Sequence, residues 1–205
     1  MTTGAQTGRG RFAAIVLAAG AGRRFGGGKL LARFGDGVLL DGAIGAACAL
    51  APEVIVVTGT GAAAVAEAAR QAHGQVGGPS RLTIVHAADH AEGMGASLRT
   101  GAKALPPDLA GVFILLGDMP RIPRDVGQRL AQALGQGAWA AAPAFQGRRG
   151  HPVLVGPELA PRLAEAQGDE GLRGLLAGLG PRLALIETDD EGVLFDVDRP
   201  QDLAP

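Results

Sequence analysis

The chain is short of several things at once, and each shortage excludes something. Cys48 is its one cysteine, so an intramolecular disulfide is ruled out and a reducing compartment fits. Tyrosine is absent, tryptophan occurs once and aromatics make up 3% of the chain. That leaves no interleaved rings on which single-stranded nucleic acid would stack. No segment approaches the ~20 consecutive apolar residues of a membrane span. Arg9 and Arg11 followed by Phe12–Ala19 imitate a secretory signal, but the apolar run is at the short end and Arg23-Arg24 follow at once. A cytoplasmic protein with neither nucleic acid nor membrane as partner is expected. Lysine is limited to Lys29 and Lys103 among 19 basic residues. Acid is missing from Met1 to Gly35, a stretch with six Arg or Lys, in a chain of net charge −1. A stretch so one-signed sets up a local field suited to polyphosphate.

What the chain has in quantity is glycine and small apolar residues. At 47% hydrophobic it can build a core, and 205 residues suit one α/β domain. Phe12–Leu17 reads as a buried first strand. Behind it come five glycines in nine positions (Gly20, Gly22, Gly26, Gly27 and Gly28), closed by Lys29. Glycines let the backbone turn tightly and approach a ligand, and successive N–H groups in such a loop form a concavity for anions. Arg23, Arg24 and Lys29 add three positive charges. A P-loop would need glycine where Arg23 stands and a hydroxyl where Leu30 stands. A dinucleotide fingerprint would need glycine at Phe25 and an acid after the second strand, which instead ends in Thr58-Gly59-Thr60.

The stretch resembles instead the signature of nucleotidyltransferases that move a nucleoside monophosphate from a triphosphate onto a phosphate, Leu-Ala-Ala-Gly-x-Gly-x-Arg-x-Gly-x-x-Lys. All its fixed positions are met, by Leu17, Ala18, Ala19, Gly20, Gly22, Arg24, Gly26 and Lys29.

Further along, strand-like and helix-like stretches alternate, which predicts helices covering a mostly parallel sheet. Helices are expected at Leu39–Leu50, Gly61–His73, Gly95–Leu105, Val126–Leu134, Leu159–Ala166 and Leu172–Leu179. Strands are expected at Val54–Val57, Leu82–Val85, Val112–Leu116, Trp139–Ala144, Val153–Val155, Leu183–Glu187 and Val193–Val197. Val112–Leu116 is the most apolar and is assigned the centre, Gly74–Ser80 is assigned to a surface loop, and residues 1–10 to a flexible tail before a domain at 11–205. No repeat or interdomain linker is visible.

Asp118, in Gly117-Asp118-Met119-Pro120, follows the expected central strand. Ligands of open α/β sheets gather at strand carboxyl ends, so Asp118 is placed in the same crevice as the glycine loop. A carboxylate there suits Mg²⁺, which takes one or two carboxylates plus phosphate oxygens and water; a turn-starting role before Pro120 is the alternative. In Phe195-Asp196-Val197-Asp198-Arg199-Pro200, a strand would put Asp196 and Asp198 on one face, where two carboxylates call for a cation; Asp198 also suits a cap for the terminal turn. Ser97 falls in the first turn of a helix, either as a cap or with its hydroxyl towards the crevice. Arg148, Arg149 and His151 lie on a second basic loop, either solvated or receiving an acceptor's phosphate. His86 and His90 carry a zinc-like spacing, but a strand end and a loop do not give it helical geometry.

Several of these stretches resemble one family. Gly117-Asp118-Met119-Pro120 is similar to the transferases' Gly-Asp-x-Pro metal motif, and Asp196 to Leu203 to their Asp-x-Asp-x-Pro-x-Asp-Leu. Gly93-Met94 with Ser97-Leu98, Gly150–Val153 and Gly168–Arg173 are similar to segments of the molybdenum cofactor cytidylyltransferases. The resemblance spans roughly Ala13 to Leu203, departing at Gly95-Ala96, where that family more often carries serines. It implies an α/β fold: a single-domain Rossmann-like three-layer sandwich, mostly parallel, of the nucleotide-diphospho-sugar transferase type. It implies Leu17–Gly22 (Leu17, Ala18, Ala19, Gly20, Ala21, Gly22) and Ser97 as the nucleotide-binding residues, with Ser97 at the base. It further implies that Arg24 and Lys29 are catalytic, that Mg²⁺ sits on Asp118 and Asp196 with Asp198 close by, and that CMP passes from CTP to molybdopterin or molybdenum cofactor. A molybdoenzyme or its maturation chaperone is the implied protein partner. Its rivals are a guanylyl or sugar-phosphate transferase of the same fold, an NAD(P)-linked oxidoreductase, and a non-catalytic nucleotide-binding or cofactor-handover protein.

Overall fold

The computed structural model describes residues 11–169 and 171–203; the tail expected at residues 1–10 lies outside them. In chain order the main elements are β1 (Arg11–Ala18), β2 (Arg33–Phe34), β3 (Gly37–Val38), α1 (Leu39–Leu50), β4 (Glu53–Thr58), α2 (Ala62–Val76) and β5 (Arg81–His86). Then follow α3 (Met94–Lys103), β6 (Leu109–Leu116), α4 (Val126–Gly135), β7 (Ala140–Phe145), β8 (Arg148–Arg149), β9 (Val153–Val155), α5 (Leu172–Ala177) and β10 (Leu183–Glu187). The sheet order is β10-β7-β9-β6-β1-β4-β5, with β8 attached to β7, and β2-β3 forms a separate ribbon. Pairings of β1 with β4 and β6, of β4 with β5 and of β10 with β7 are parallel. β9 runs antiparallel between β6 and β7. The most apolar strand, β6, takes the middle place, because only a strand covered on both faces tolerates an unbroken apolar run.

Helices cover both faces, giving three layers. Alternation along β1 sends Ala14, Val16 and Ala18 into the layer with Leu40, Ile44, Val65 and Leu130 of α1, α2 and α4. Ala13, Ile15 and Leu17 face the other layer, with Leu98 of α3, Leu163, and Leu172 and Leu176 of α5. β1, β4, β5, β6, β7 and β10 share one direction, so Ala18, Thr58, His86, Leu116, Phe145 and Glu187 end on a common rim.

Three stretches depart from expectation. α2 continues through Gly74 to Val76, so the loop starts at Gly77. The expected helix at 159–166 is a 3₁₀ segment, Ala160–Glu165, with Pro161 at its start. Val193–Val197 is not a strand. After β10 the chain makes a 3₁₀ turn at Glu191–Leu194, begun by the Asp190 carboxylate accepting from Gly192 N–H. It then crosses to the end of β6, where Val197 N–H donates to the Asp118 carbonyl at 3.1 Å. The alternation of Phe195 and Val197 with two aspartates mimics a strand, but two isolated hydrogen bonds, His151 N–H to the Val193 carbonyl and Val197 N–H to the Asp118 carbonyl, replace a ladder.

α1 sets the height of the turn that bears Asp118. A Cβ on Gly42 would lie 2.4 Å from the Pro120 carbonyl oxygen and 2.6 Å from its Cα, backbone atoms that have no room to move. Gly42→Ala is expected to cost on the order of 1–3 kcal/mol, read as a lowered urea midpoint at unchanged m-value, and to lower turnover as well.

Candidate active site

The glycine loop leaves β1 on the rim and folds as two single-turn 3₁₀ segments, Arg23–Phe25 and Lys29–Leu31. Gly22 (φ 58), Gly26 (φ 95), Gly27 (φ 94) and Gly28 (φ 64) occupy the left-handed region, where a side chain is strained. Gly22 is also tight, since a Cβ there would lie 3.1 Å from Lys29 Cβ. Phe25 and Gly27 N–H both donate to the Gly22 carbonyl, which closes the loop on itself. Among the described residues the N–H groups of Gly20, Ala21 and Gly22 donate to no protein acceptor. They remain available to a ligand's anionic oxygens.

Lys29 reaches from this loop to two carboxylates remote in sequence. Its Nζ is 2.6 Å from Asp118 Oδ2 and 3.5 Å from Asp198 Oδ1. Arg24 donates through Nη1 to the other Asp198 oxygen. The Lys29 and Asp118 side chains are 12% and 22% exposed, so water screens the pair far less than it would on an open surface. Asp198 does not cap the terminal 3₁₀ turn. The Asp202 carboxylate does that, accepting from Asp198 N–H at 3.0 Å and Arg199 N–H at 2.8 Å. Asp196 has no ion pair among the described residues. Partial desolvation, together with the neighbouring charges of Asp118 and Asp198, pushes its carboxyl above the usual carboxylate range; Lys29 offsets this only in part.

This is the charge pattern of a place for a divalent cation. Three carboxylates face one ammonium and one guanidinium, and Asp196, which has no ion pair among the described residues, is electrostatically uncomfortable. No three such side chains among the described residues form a complete metal cage by themselves. Any Mg²⁺ bound here would need water and phosphate oxygens to complete its shell.

Other candidates are dispersed around the rim. Ser97 is buried in the first turn of α3, whose cap is Gly93 rather than Ser97. Gly95 N–H donates to the Gly168 carbonyl at 2.8 Å, so the stretch around Gly168 covers the start of α3. The cap of α5 is Gly171, without a side-chain hydrogen bond; Glu170 lies outside the described residues. Arg148 and Arg149 form β8, an exposed two-residue strand paired to the end of β7, not a free turn. His151 turns inward, with Nδ1 3.4 Å from the Ile114 carbonyl, and burial holds its imidazole below the usual range. A neutral His151 brings no charge to a phosphate. Zinc at His86 and His90 is not supported, since both nitrogens of His90 are engaged, by the Ala87 carbonyl and Thr60 Oγ1. The reading of the sequence missed Arg121, whose guanidinium lies over Phe195 and Phe34 and which falls in no motif or periodic pattern; it also gave no role to Asp202, the third aspartate of the Asp-x-Asp-x-Pro-x-Asp-Leu match.

Residues 14–185 match the model of the MobA-like NTP transferase domain. The chain belongs to this family. It is therefore a nucleotidyltransferase, and an NAD(P)-linked oxidoreductase is excluded, in keeping with the acid-free end of β4. A molybdenum cofactor cytidylyltransferase from Escherichia coli (strain K12) is 26% identical over 188 residues, covering 92% of this chain and 91% of that one. The crystal structure of an Rv0371c homolog from Mycobacterium sp. strain JC1 superposes with a TM-score of 0.75 at 30% identity, covering 94% and 92% of the two chains. Rv0371c of Mycobacterium tuberculosis H37Rv, solved as a manganese complex, shares the fold with a TM-score of 0.72 at 22% identity, covering 94% and 95%. Among the described residues no helix is long and apolar enough to cross a membrane.

The raised carboxyl of Asp196 has a consequence for stability. The folded protein holds that proton more tightly than the unfolded chain, so stability falls as pH rises from the ordinary carboxylate range through the elevated one. Without divalent cation at pH 7, Asp196→Asn should therefore raise Tm, by roughly 1–3 °C. In differential scanning calorimetry the same variant should lose the extra stabilisation that Mg²⁺ with CTP gives the parent protein.

Proposed function

We propose that this nucleotidyltransferase moves CMP from CTP onto the terminal phosphate of molybdopterin or molybdenum cofactor, with release of pyrophosphate. The observation that carries the reading is the meeting of the Lys29 loop, Asp118 and the Asp196–Asp198 segment on one rim. Similarity to the cytidylyltransferase supports the choice of base and acceptor. A phosphate monoester is largely ionised at pH 7, its second pKa being about 6. It attacks the α-phosphorus in line without a general base, and burial holds the His151 imidazole below its usual range.

The chain's own work is alignment and charge. The free N–H groups of Gly20, Ala21 and Gly22, with Leu17–Ala19 leading into them, cradle the triphosphate. Arg24 and Lys29 place positive charge on oxygens that become more negative as the bond to pyrophosphate breaks. Ser97 and the start of α3 face the base, and Arg148 and Arg149 receive the acceptor. Asp118 and Asp196 are the residues to hold Mg²⁺, with Asp198 beside them; the bound ion would neutralise phosphate charge and steady the leaving group. Lys29 ties the carboxylates of Asp118 and Asp198 together. Residues 11–205 are the catalytic domain, acting in the cytoplasm and delivering to a molybdoenzyme or its maturation chaperone.

Lys29→Ala should lower kcat by a factor of about 10²–10³, and Asp118→Ala should remove both activity and its dependence on Mg²⁺; unchanged turnover in either variant rejects the role given. Pyrophosphate release measured with each of four nucleoside triphosphates, with and without molybdopterin, should be strongest for CTP with acceptor. Preference for GTP, or for a sugar phosphate as acceptor, would transfer the assignment to another transferase of the same fold. Nucleotide binding without any pyrophosphate release would make the chain a handover protein.

A further inference from the structure

The stretch that carries Asp196 and Asp198 is held by the buried Val197 and by the pairing of Asp198 with Arg24 and Lys29, while the Asp196 side chain has no ion pair among the described residues. It is not a strand, and from Phe195 to Val197 one backbone hydrogen bond ties it to the rim, from Val197 N–H to the Asp118 carbonyl. Carboxylates that share a cation have to be held to within about 0.5 Å. Arg121 adds a constraint on the other side of Asp196, through Phe195. Its guanidinium carbon lies 4.1 Å from the centroid of the Phe195 ring and 5.7 Å from that of Phe34, and the two rings are 6.4 Å apart. A guanidinium over an aromatic face is attracted by the ring's quadrupole and stacks as a plane.

These three residues come from the three segments that build the charged cluster. Phe34 follows Lys29 in the loop and ribbon, Arg121 follows Asp118 in its turn, and Phe195 directly precedes Asp196. Arg121 makes no ion pair among the described residues, so its plane is given over to the rings. Its backbone grips the same turn from below: a Cβ on Gly192 would lie 2.1 Å from the Arg121 carbonyl oxygen.

We propose that Arg121 is a positioning residue: by stacking on Phe195 and Phe34 it fixes Asp196 and Asp198 at the separation from Asp118 that cation binding requires. This rests on the reading of Asp118 and Asp196 as the metal carboxylates. Two measurements on the full chain test it. Amide hydrogen exchange at Val197 reports the register of the segment with no metal present, and electron paramagnetic resonance reports Mn²⁺ binding in the presence of CTP. In Arg121→Ala, exchange at Val197 should quicken about tenfold and the apparent Kd for Mn²⁺ should rise about tenfold, with exchange in β1 and β6 unchanged. Phe195→Leu should behave alike, and the double variant no worse than either, since both remove one stack. Arg121→Lys, a cation without a plane, should fall between.

Unchanged exchange at Val197 in these variants overturns the proposal. So does quicker exchange with unchanged Mn²⁺ affinity, and so does a uniform rise that includes β1 and β6, the mark of a general stability residue. Should Arg121→Ala not fold, Phe195→Leu and Arg121→Lys carry the same comparison. Asp118→Asn separates the underlying reading: if it leaves Mn²⁺ affinity intact, the carboxylate assignment fails, while exchange at Val197 still decides whether Arg121 sets the register.

Discussion

The ammonium of Lys29 sits between carboxylates from two other parts of the chain, and the rim of this protein is arranged around that meeting. At 2.6 Å from Asp118 and 3.5 Å from Asp198, and with little water around it, it offsets a repulsion that would otherwise drive the segments apart. Removing one member of such a shielded group leaves the others uncompensated. The glycine loop is therefore more than a phosphate cradle. Its turns place the chain's scarcest basic residue type where acidic groups converge, and Gly22 allows the loop to close tightly against Lys29 itself.

The fold supplies this meeting from rigid parts. β1 and β6 are neighbours running the same way, so the loop after one and the turn after the other emerge side by side. α1 seats the Pro120 turn by backbone contact at Gly42. The third participant comes from the far edge of the sheet, where β10 ends, and has no ladder to fix it. Its placement depends on small contacts: Val197 with the Asp118 carbonyl, the Asp202 cap, and Arg121 stacked on Phe195. A site of this kind does little covalent chemistry and needs none, because phosphoryl and nucleotidyl transfers are accelerated chiefly by alignment and by charge placed on developing oxyanions.

The charges are not balanced in the ligand-free protein. Asp196 faces two like charges with only a share of Lys29 to offset them. Such local discomfort is common where a protein is shaped for a ligand rather than for its own stability. Capping of the last turn by Asp202 is part of the same economy, since it leaves the Asp198 side chain to Arg24 and Lys29.

Much of the molecule was legible in the amino-acid order, and the reason is local. Period two on both faces of β1, the apolar run of β6, and the glycines with Arg24 and Lys29 are patterns within a few residues, and they determined layers, central strand and cradle. Asp118 was legible because a turn after a central parallel strand has one place to go. What the order of residues did not decide were contacts across long separations: Arg24 with Asp198, 174 positions apart, or Arg121 with two distant rings. The Val193–Val197 alternation pointed to a strand because periodicity cannot tell whether a neighbouring strand is there to pair with it. His151 read as part of a basic loop, yet the backbone turns it inward and burial keeps it neutral. Spacing along the chain determined the elements; only the packed structure, through who neighbours whom, decided which charges meet.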